Sequence, residues 1–310
     1  MKRLRFVVSL TTTENDYQME QSRAAEEAAR KLGVDLQIIY ADNDTITQSQ
    51  QLLNIIQSRS DSHPDGILFE PVGGTALPQV GKAAVTAGIA WVVLNREIEY
   101  IADLRRAYRM PIFTVAANHE EVGRIQAKQI AALLPKGGSV LYIEGPAENY
   151  AAKQRTIGFY EAKPTSVQVK SLRGQWTEAS AQKALSSWLR LSTSRQTRID
   201  AIVAQNDAMA VGARKAFQEI TDIRERDRWL SLPYTGVDGV PKTGQAWVKS
   251  GLLAATVVVP TNTDVGLEML VRAIQTGAQP SERTLTSPRS FPTTEDLART
   301  HTEKSRALSV

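Results

Sequence analysis

Residues 199–217, IDAIVAQNDAMAVGARKAF, decide the fold class. An apolar, β-branched run from Ile199 to Ala204 is followed at once by a segment of helical period from about Ala208 to Gln218. A short buried strand that leads into a helix is the repeating unit of a parallel sheet covered by helices. Asn206 and Asp207 stand between the two segments. The stretch therefore predicts a βα unit with polar side chains at the carboxyl end of its strand.

The same alternation of strand and helix runs outward along the chain. β-Branched runs such as Arg5 to Leu10 and Ala255 to Val259 are each followed by a longer segment of helical period. The chain of 310 residues exceeds the size at which a single core usually stops growing, so two domains are expected. Pro260 marks a place where the chain can cross back to the first domain. The sequence thus predicts two α/β lobes, each a doubly wound parallel sheet.

The predicted boundaries follow from the two sets of strands. The N-terminal lobe takes residues 1–115 and about 259–286, and the C-terminal lobe takes about 116–258 and about 287–295. Residues 296–310 are expected to form a tail.

The composition is typical of a globular chain with a buried core, at 42% hydrophobic and 23% charged residues. The 37 basic and 33 acidic residues are interspersed, so nucleic-acid binding is not expected. The chain has no Cys, which excludes thiol nucleophiles and zinc–thiolate sites. No apolar run approaches the roughly 18 residues of a membrane span, so membrane insertion is not expected.

The N-terminus, MKRLRFVVSL, has a basic start and a short apolar run that leads straight into polar residues. It lacks a small-residue cleavage site and is interpreted as a first strand. The protein is expected to be periplasmic or extracytoplasmic if a signal peptide was removed, and cytoplasmic if the chain is complete as given.

Polar and aromatic residues follow the predicted strands in both lobes. In open parallel sheets, ligands bind beyond the carboxyl ends of the strands, where helix N-termini converge. Sugar hydroxyls donate and accept hydrogen bonds, and sugar C–H faces stack on aromatic rings. The candidate ligand-binding residues are Ser9, Asn15, Tyr17, Asn95, Arg96, Lys153, Trp176, Asn206 and Asp238. Glu70, Gln18 and Arg155 are further possible ligand-binding residues.

A structural role competes with binding at each of these positions. Asn and Asp at strand ends often cap the following helix, and Glu70 could serve as a loop-capping carboxylate. For one residue taken alone the capping role is favoured. The combined set in both lobes favours binding.

Catalytic motifs are not found in the sequence. The three His residues stand apart from one another, and no HExxH, GxSxG, phosphate-binding loop or GxGxxG pattern occurs. Closely spaced carboxylates such as Glu26 and Glu27 fit the polar face of a helix. The sequence therefore predicts a protein that is not an enzyme and needs no cofactor and no metal.

Four segments together carry a family resemblance. They are AAKQRTIGF (151–159), VAQNDAMAVGARKAF (203–217), GVDGVPKTG (236–244) and VKSGLLAATV (248–257). They resemble the ribose-binding branch of the type I periplasmic sugar-binding proteins, whose fold the LacI-type repressor effector domains share. The resemblance extends from Arg5 to about Gly277. It implies two doubly wound lobes joined by a multi-strand hinge.

The resemblance also implies roles for particular residues. Asn206 and Asp238 match the ligand-binding Asn and Asp of the second lobe, and Trp176 falls where the family places a stacking aromatic residue. Asn15 and Tyr17 match the first part of the family's NPFF stretch. Arg96 matches the Arg of a strand-ending Asp-Arg pair, and Arg155 begins the family's Arg-x-x-Gly-Phe motif, in which it can be structural.

The chain departs from the family pattern at several of these positions. Asn95 stands where the family usually has Asp. Lys153 stands where the family has an Arg that makes a bidentate hydrogen bond to the ligand, a contact that Lys cannot make. Val259 stands where ribose binders have Gln, and Gln18 replaces the second Phe of NPFF. These changes argue against ribose itself.

The resemblance predicts a solute-binding protein that captures a small sugar or polyol in the interlobe cleft by hinge closure. Its partners would be an ABC-type permease or a chemosensory receptor, and a monomer is expected. The alternative is a soluble ligand-sensing regulatory protein without its own DNA-binding module. The repressors of this fold carry an N-terminal helix-turn-helix module, whereas here the first strand begins at about Arg5.

Overall fold

The computed structural model describes residues 3–58, 63–73, 76–191, 194 and 197–307. The chain divides into two units. Unit 1 comprises Met1–Ala117 and Pro260–Thr286, and unit 2 comprises Asn118–Val259 and Ser287–Val310. The chain therefore passes between the units at 117–118, 259–260 and 286–287. Within the described part of the chain, every helix is too short or too polar to cross a membrane.

The elements alternate as the sequence pattern predicts. Up to residue 117 they are β1 (Arg5–Leu10), α1 (Asp16–Leu32), β2 (Asp35–Tyr40), α2 (Thr45–Ile56), β3 (Gly66–Phe69), α3 (Pro78–Thr86), β4 (Ala90–Leu94), α4 (Tyr100–Ala107) and β5 (Ile112–Ala117). From residue 118 to residue 259 they are α5 (His119–Leu133), β6 (Gly138–Glu144), α6 (Tyr150–Ala162), β7 (Val167–Arg173), α7 (Glu178–Leu189), β8 (Ala201–Ala204), α8 (Asp207–Gln218), α9 (Ile223–Leu230), β9 (Tyr234–Asp238), α10 (Gly244–Lys249) and β10 (Ala255–Val258). The last elements are α11 (Thr263–Thr276), β11 (Arg283–Thr286), β12 (Arg289–Phe291) and α12 (Thr294–Ala307).

Each unit contains one six-stranded sheet. The strand order is β11-β5-β4-β3-β1-β2 in unit 1 and β12-β10-β9-β8-β6-β7 in unit 2. The pairs in unit 1 are parallel, and in unit 2 the edge strand β12 runs antiparallel to β10. Because the strands are parallel, their carboxyl ends lie along one edge of each sheet. The predicted doubly wound α/β fold is confirmed.

Helices cover both faces of each sheet. In unit 1, one core includes residues of α1 and α11, and the opposite core includes residues of α2, α3 and α4. In unit 2, residues of α5, α6 and α12 pack on one face, and residues of α7, α8 and α9 pack on the other. The inner strands of each sheet are buried on both faces, which explains their continuous apolar runs, whereas the edge strands β2, β7, β11 and β12 are partly exposed.

The C-terminal segment differs from the sequence expectation. Residues 296–310 were expected to form a tail, but Thr294–Ala307 is helical and Leu297 is buried in the core of unit 2. The segment is strongly polar on average, so its composition resembles that of an exposed tail. The short helices α4, α9 and α10 and the short strands β11 and β12 complete the described elements.

Two glycines set the distance between α5 and α6. A Cβ atom at Gly158 would overlap the carbonyl oxygen of Glu120, and one at Gly123 would overlap that of Arg155. The next residue, Phe159, is fully buried and stacks on Tyr142, with ring centroids 4.4 Å apart. The Arg-x-x-Gly-Phe motif is thus a packing motif that brings α6 against α5.

Gly158→Ala should lower the free energy of unfolding by about 1–3 kcal/mol or more, because backbone atoms of α5 cannot move aside cheaply. Gly266→Ala is a matched helical control, since its Cβ would meet side-chain methyl groups rather than backbone: Leu68 Cδ2 at 2.9 Å, Leu94 Cδ2 at 3.3 Å and Val92 Cγ1 at 3.8 Å. Urea unfolding followed by tryptophan fluorescence measures both variants. Equal losses in the two variants would contradict this packing role for Gly158.

Candidate functional site

The first candidate of unit 1, Ser9, is tied into the loops that follow the strands. Ser9 is fully buried, and its Oγ accepts a hydrogen bond from Gln48 Nε2 at 3.1 Å. The same amide donates to the carbonyl oxygen of Glu70 at 2.8 Å, and Gln48 Oε1 accepts from Val72 N at 3.0 Å. Buried Gln48 therefore joins the end of β1 to the loop after β3.

The start of α1 holds three candidates. Asn15 caps the helix, because its Oδ1 accepts from the backbone amides of Tyr17 and Gln18 at 2.9 and 3.2 Å. Tyr17 is buried, and its hydroxyl donates to the carbonyl oxygen of Pro260 at 2.8 Å. Gln18 is also buried, and its Oε1 accepts from Thr11 N at 3.0 Å. Stacking of Tyr17 on a ligand stays a prediction.

A chain of hydrogen bonds links the ends of β3 and β4. The Glu70 carboxylate accepts from Gln18 Nε2 at 2.9 Å and from Asn95 Nδ2 at 3.1 Å. Asn95 Oδ1 in turn accepts from Asn262 Nδ2 at 3.3 Å. Asn262 is fully buried, and its Oδ1 accepts from Thr286 Oγ1 at 3.0 Å. This chain brings together Gln18, Glu70 and Asn95, but Asn262 has no counterpart among the predicted residues.

Two basic candidates make simpler contacts. Arg96 donates from a guanidinium nitrogen to the carbonyl oxygen of Gly73 at 2.7 Å. The Lys153 side chain is 58% exposed, and its Nζ lies 4.0 Å from the Glu148 carboxylate. Lys153 is therefore less constrained than the other candidates of unit 2.

Asn206 is a helix cap whose amide also holds the backbone of Trp176. Its Oδ1 accepts from Met209 N at 2.9 Å, and its Nδ2 donates to the carbonyl oxygen of Trp176 at 2.9 Å. The Trp176 ring lies against Gly145, where a Cβ atom would overlap it, and 5.5 Å from the Arg155 guanidinium carbon. Asn206 and Trp176 thus lie together at the ends of β8 and β7.

Arg155 and Asp238 form an ion pair with little exposure to solvent. Arg155 Nη2 lies 3.7 Å from Asp238 Oδ1, and the two side chains are 5% and 13% exposed. Arg155 also donates to the carbonyl oxygen of Gln205. A carboxylate beside a guanidinium and an indole ring offers acceptors, donors and an apolar surface in one place.

Two buried residues were missed as site components. Gln205 is fully buried; its Oε1 accepts from Gly145 N at 2.8 Å, and its Nε2 donates to Tyr142 Oη at 2.8 Å. Asp207 accepts from Thr256 Oγ1 at 2.7 Å and from Gly239 N at 2.8 Å. Burial, with the nearby Asp238 charge, raises the pKa of Asp207 well above its usual value. Both residues flank Asn206 in the sequence Gln205-Asn206-Asp207, which was the available signal. Asp207 was noted at the end of the predicted strand but was not among the candidate ligand-binding residues, and Gln205 was not considered.

Three candidates have backbones in the left-handed region. Their φ angles are 58° at Asn95, 64° at Trp176 and 99° at Asp238. Such conformations are costly for residues other than Gly and persist only where neighbouring contacts enforce them. Each of the three lies at or just beyond the carboxyl end of a strand. Among the described residues, the other non-glycine positions with positive φ are Asp42, Asn43 and Leu77, so three of six such positions are predicted ligand-binding residues.

Comparisons with known proteins agree with this architecture. A solute-binding protein of an ABC transporter from Actinobacillus succinogenes, solved with bound D-allose, has a TM-score of 0.79 at 21% identity, over 96% of this chain and 100% of its own. The D-allose-binding periplasmic protein of Escherichia coli is 28% identical over 88% of this chain and 85% of its own length. A protein of Rhizobium meliloti, named provisionally as a rhizopine-binding protein, is 32% identical over 62% of this chain.

The match to the Rhizobium meliloti protein spans 60% of that relative's length. The family model described as the periplasmic binding protein domain matches residues 6–278, which include every candidate ligand-binding residue. The chain belongs to the periplasmic binding protein family.

Proposed function

We propose that the protein binds a small neutral sugar or polyol, using the candidate residues of both units, as the solute-binding component of an ABC-type uptake system. The observation that carries the proposal is the Asp238 carboxylate, which lies beside Arg155 at the end of β9 in a chain of this family. The named relatives are binding proteins rather than enzymes or regulators, which supports solute capture over the regulatory alternative.

The chemistry of the candidate residues suits hydroxyl groups. A carboxylate accepts from two neighbouring hydroxyls, whereas a guanidinium donates to their lone pairs. Asp238 and Arg155 supply one such combination in unit 2, and Glu70 with Asn95 supplies acceptors and donors in unit 1. We propose that one ligand molecule contacts both sets, which requires the units to close around it.

The charge balance of these residues favours a neutral ligand. Each unit contributes one acid and one Arg: Glu70 and Arg96 in unit 1, Asp238 and Arg155 in unit 2. The formal charges cancel within each set. Lys153 is the remaining candidate cation, and it is mostly exposed and 4.0 Å from Glu148. The candidate residues thus carry one more positive than negative charge, and Glu148 beside Lys153 offsets it, so a sugar acid would meet little net positive charge.

The compartment and partner follow from the same proposal. An uptake protein of this family works outside the cytoplasmic membrane, and the Escherichia coli relative is named as periplasmic. An ABC permease that recognises the ligand-bound form is the partner we propose.

A thermal-shift panel of D-allose, D-ribose, D-xylose, myo-inositol and D-galacturonate tests the ligand class. We expect a neutral sugar or polyol to raise the melting temperature, because a ligand that binds only the folded state stabilises it, and we expect little effect from D-galacturonate. Mass spectrometry after long incubation should recover the ligand unchanged. A converted product would contradict the binding role, and a response to D-galacturonate alone would contradict the neutral class.

Asp238→Ala should weaken binding of the selected sugar by about 2 kcal/mol or more, because ligand hydroxyls would be buried without partners. Isothermal titration calorimetry measures the affinity. Asp227→Ala, which removes an exposed carboxylate of the same unit, is the control and should keep the parental affinity. The same affinity in Asp238→Ala as in the parent would exclude Asp238 from the site.

Trp176→Ala should reduce affinity by on the order of 1–3 kcal/mol if the ligand covers the indole ring. Tyr160→Ala removes an aromatic ring that is 45% exposed on α6 and serves as the control. Calorimetry on both variants separates a stacking contact from a general loss of aromatic surface. An unchanged affinity in Trp176→Ala would assign the ring a purely structural role.

A further inference from the structure

Asp207 is a fully buried carboxyl group that the binding proposal does not use. Its Oδ2 accepts from the backbone amide of Gly239 at 2.8 Å, and its Oδ1 accepts from Thr256 Oγ1 at 2.7 Å. Thr256 belongs to β10, and Gly239 directly follows β9. One side chain at the start of α8 therefore holds two neighbouring strands of the sheet.

Capping does not explain why an acid stands at this position. The cap of α8 is Asn206, whose Oδ1 accepts from Met209 N at 2.9 Å. Burying a carboxyl group is costly, and the cost is greater beside a second acid, Asp238. An Ala at position 207 would avoid that cost but would leave the Gly239 amide without its acceptor. Asp207 thus serves as the acceptor for two buried donors, Gly239 N and Thr256 Oγ1.

The surroundings are shaped to fit this carboxyl group. A Cβ atom at Gly236 would overlap Oδ1 of Asp207, and one at Gly244 would overlap Oδ2. Gly239 itself has a φ of 57°, and a Cβ there would lie 2.7 Å from Val258 Cα. Three glycines therefore make room for the group and for the turn that it binds.

The turn that Asp207 holds contains the proposed ligand-binding acid. Asp238 has a φ of 99° and Gly239 one of 57°, so two consecutive residues have left-handed backbones. The carbonyl oxygen of Asp238 accepts from Val259 N at 3.1 Å, and the backbone amide of Gly239 donates to Asp207. Both groups belong to the peptide unit that joins Asp238 to Gly239, so these two hydrogen bonds fix that unit directly after the Asp238 side chain.

We propose that Asp207 is a positioning residue for ligand binding, which holds the Gly239 amide so that the Asp238 carboxylate keeps its place beside Arg155. The proposal rests on the proposed binding role of Asp238. Asp207 itself does not contact the ligand and acts through the backbone of the turn. In Asp207→Asn the side-chain oxygen still accepts from Gly239 N, and the amide nitrogen would donate to Thr256 Oγ1 where Asp207 accepts from it. We therefore expect Asp207→Asn to keep the positioning role.

The first experiment needs no ligand and measures amide hydrogen exchange at Gly239. The amide should be protected in the parent and in Asp207→Asn, and its exchange should be about tenfold faster or more in Asp207→Ala. Asn206→Ala is the matched control, because it removes the cap of the same helix but leaves the Gly239 hydrogen bond. If Asp207→Ala does not fold, Asp207→Ser replaces it, since its hydroxyl is too short to reach Gly239 N.

The second experiment is a double-mutant cycle on affinity, measured by calorimetry with D-allose or with whichever panel sugar binds. Asp207→Ala should weaken binding about tenfold in the parent, and Asp207→Asn by no more than about threefold. In the Asp238→Ala background the further loss from Asp207→Ala should largely disappear, because the residue that it positions is already absent. A purely structural role would give the same loss in both backgrounds.

The outcomes separate the two proposals. An unchanged Gly239 exchange rate in Asp207→Ala, or an equal loss of affinity with and without Asp238, overturns the positioning role. A parent protein that binds none of the panel sugars overturns the proposed function, and the exchange experiment then still decides whether Asp207 holds the turn. Rapid exchange of Gly239 in Asp207→Ala together with strong coupling in the cycle supports the positioning role.

Discussion

Beyond the carboxyl ends of parallel strands, backbone N–H and C=O groups no longer pair with a neighbouring strand. Each such group that is buried needs another hydrogen-bond partner. Buried side chains provide these partners in both units. Gln48 joins Ser9, Glu70 and Val72 in unit 1, whereas Gln205 joins Gly145, Tyr142 and α6 in unit 2. Both amides are fully buried and use their nitrogen and their oxygen. The loops that carry the candidate site depend on these contacts.

This constraint explains why so many candidate residues already have partners. Asn15 and Asn206 cap helices, and Asn206 also holds the carbonyl oxygen of Trp176. Capping and binding are not exclusive, because a ligand can use the remaining lone pairs and hydrogens of an amide or a carboxylate. Residues fixed in this way lose little conformational entropy when a ligand arrives. The rigid framework of each unit thus favours binding by preorganised groups.

The sequence predicts the sheets better than it predicts the site. Continuous apolar runs between helical segments correctly indicate two parallel sheets, because both faces of the inner strands are buried. The sequence reasoning missed α12 because that segment is strongly polar on average, although Leu297 packs in the core of unit 2. The sequence reasoning also left out Asn262 and Gln205. The residues next to them in the sequence do not show that these side-chain amides are buried and hydrogen-bonded to distant parts of the chain.

The Glu70 carboxylate lies beside Asn95, which stands where the family resemblance implies an Asp. The family resemblance places an acid at position 95, where this chain has a neutral amide. The Glu70 carboxylate accepts from Asn95 Nδ2 at 3.1 Å, so an acid still lies within hydrogen-bonding distance of that position. Asn95 Oδ1 meanwhile accepts from Asn262, which fixes the orientation of the amide. The negative charge beside position 95 is thus supplied by Glu70, which directly follows β3, and its carboxylate is directed differently from that of an acid at the end of β4.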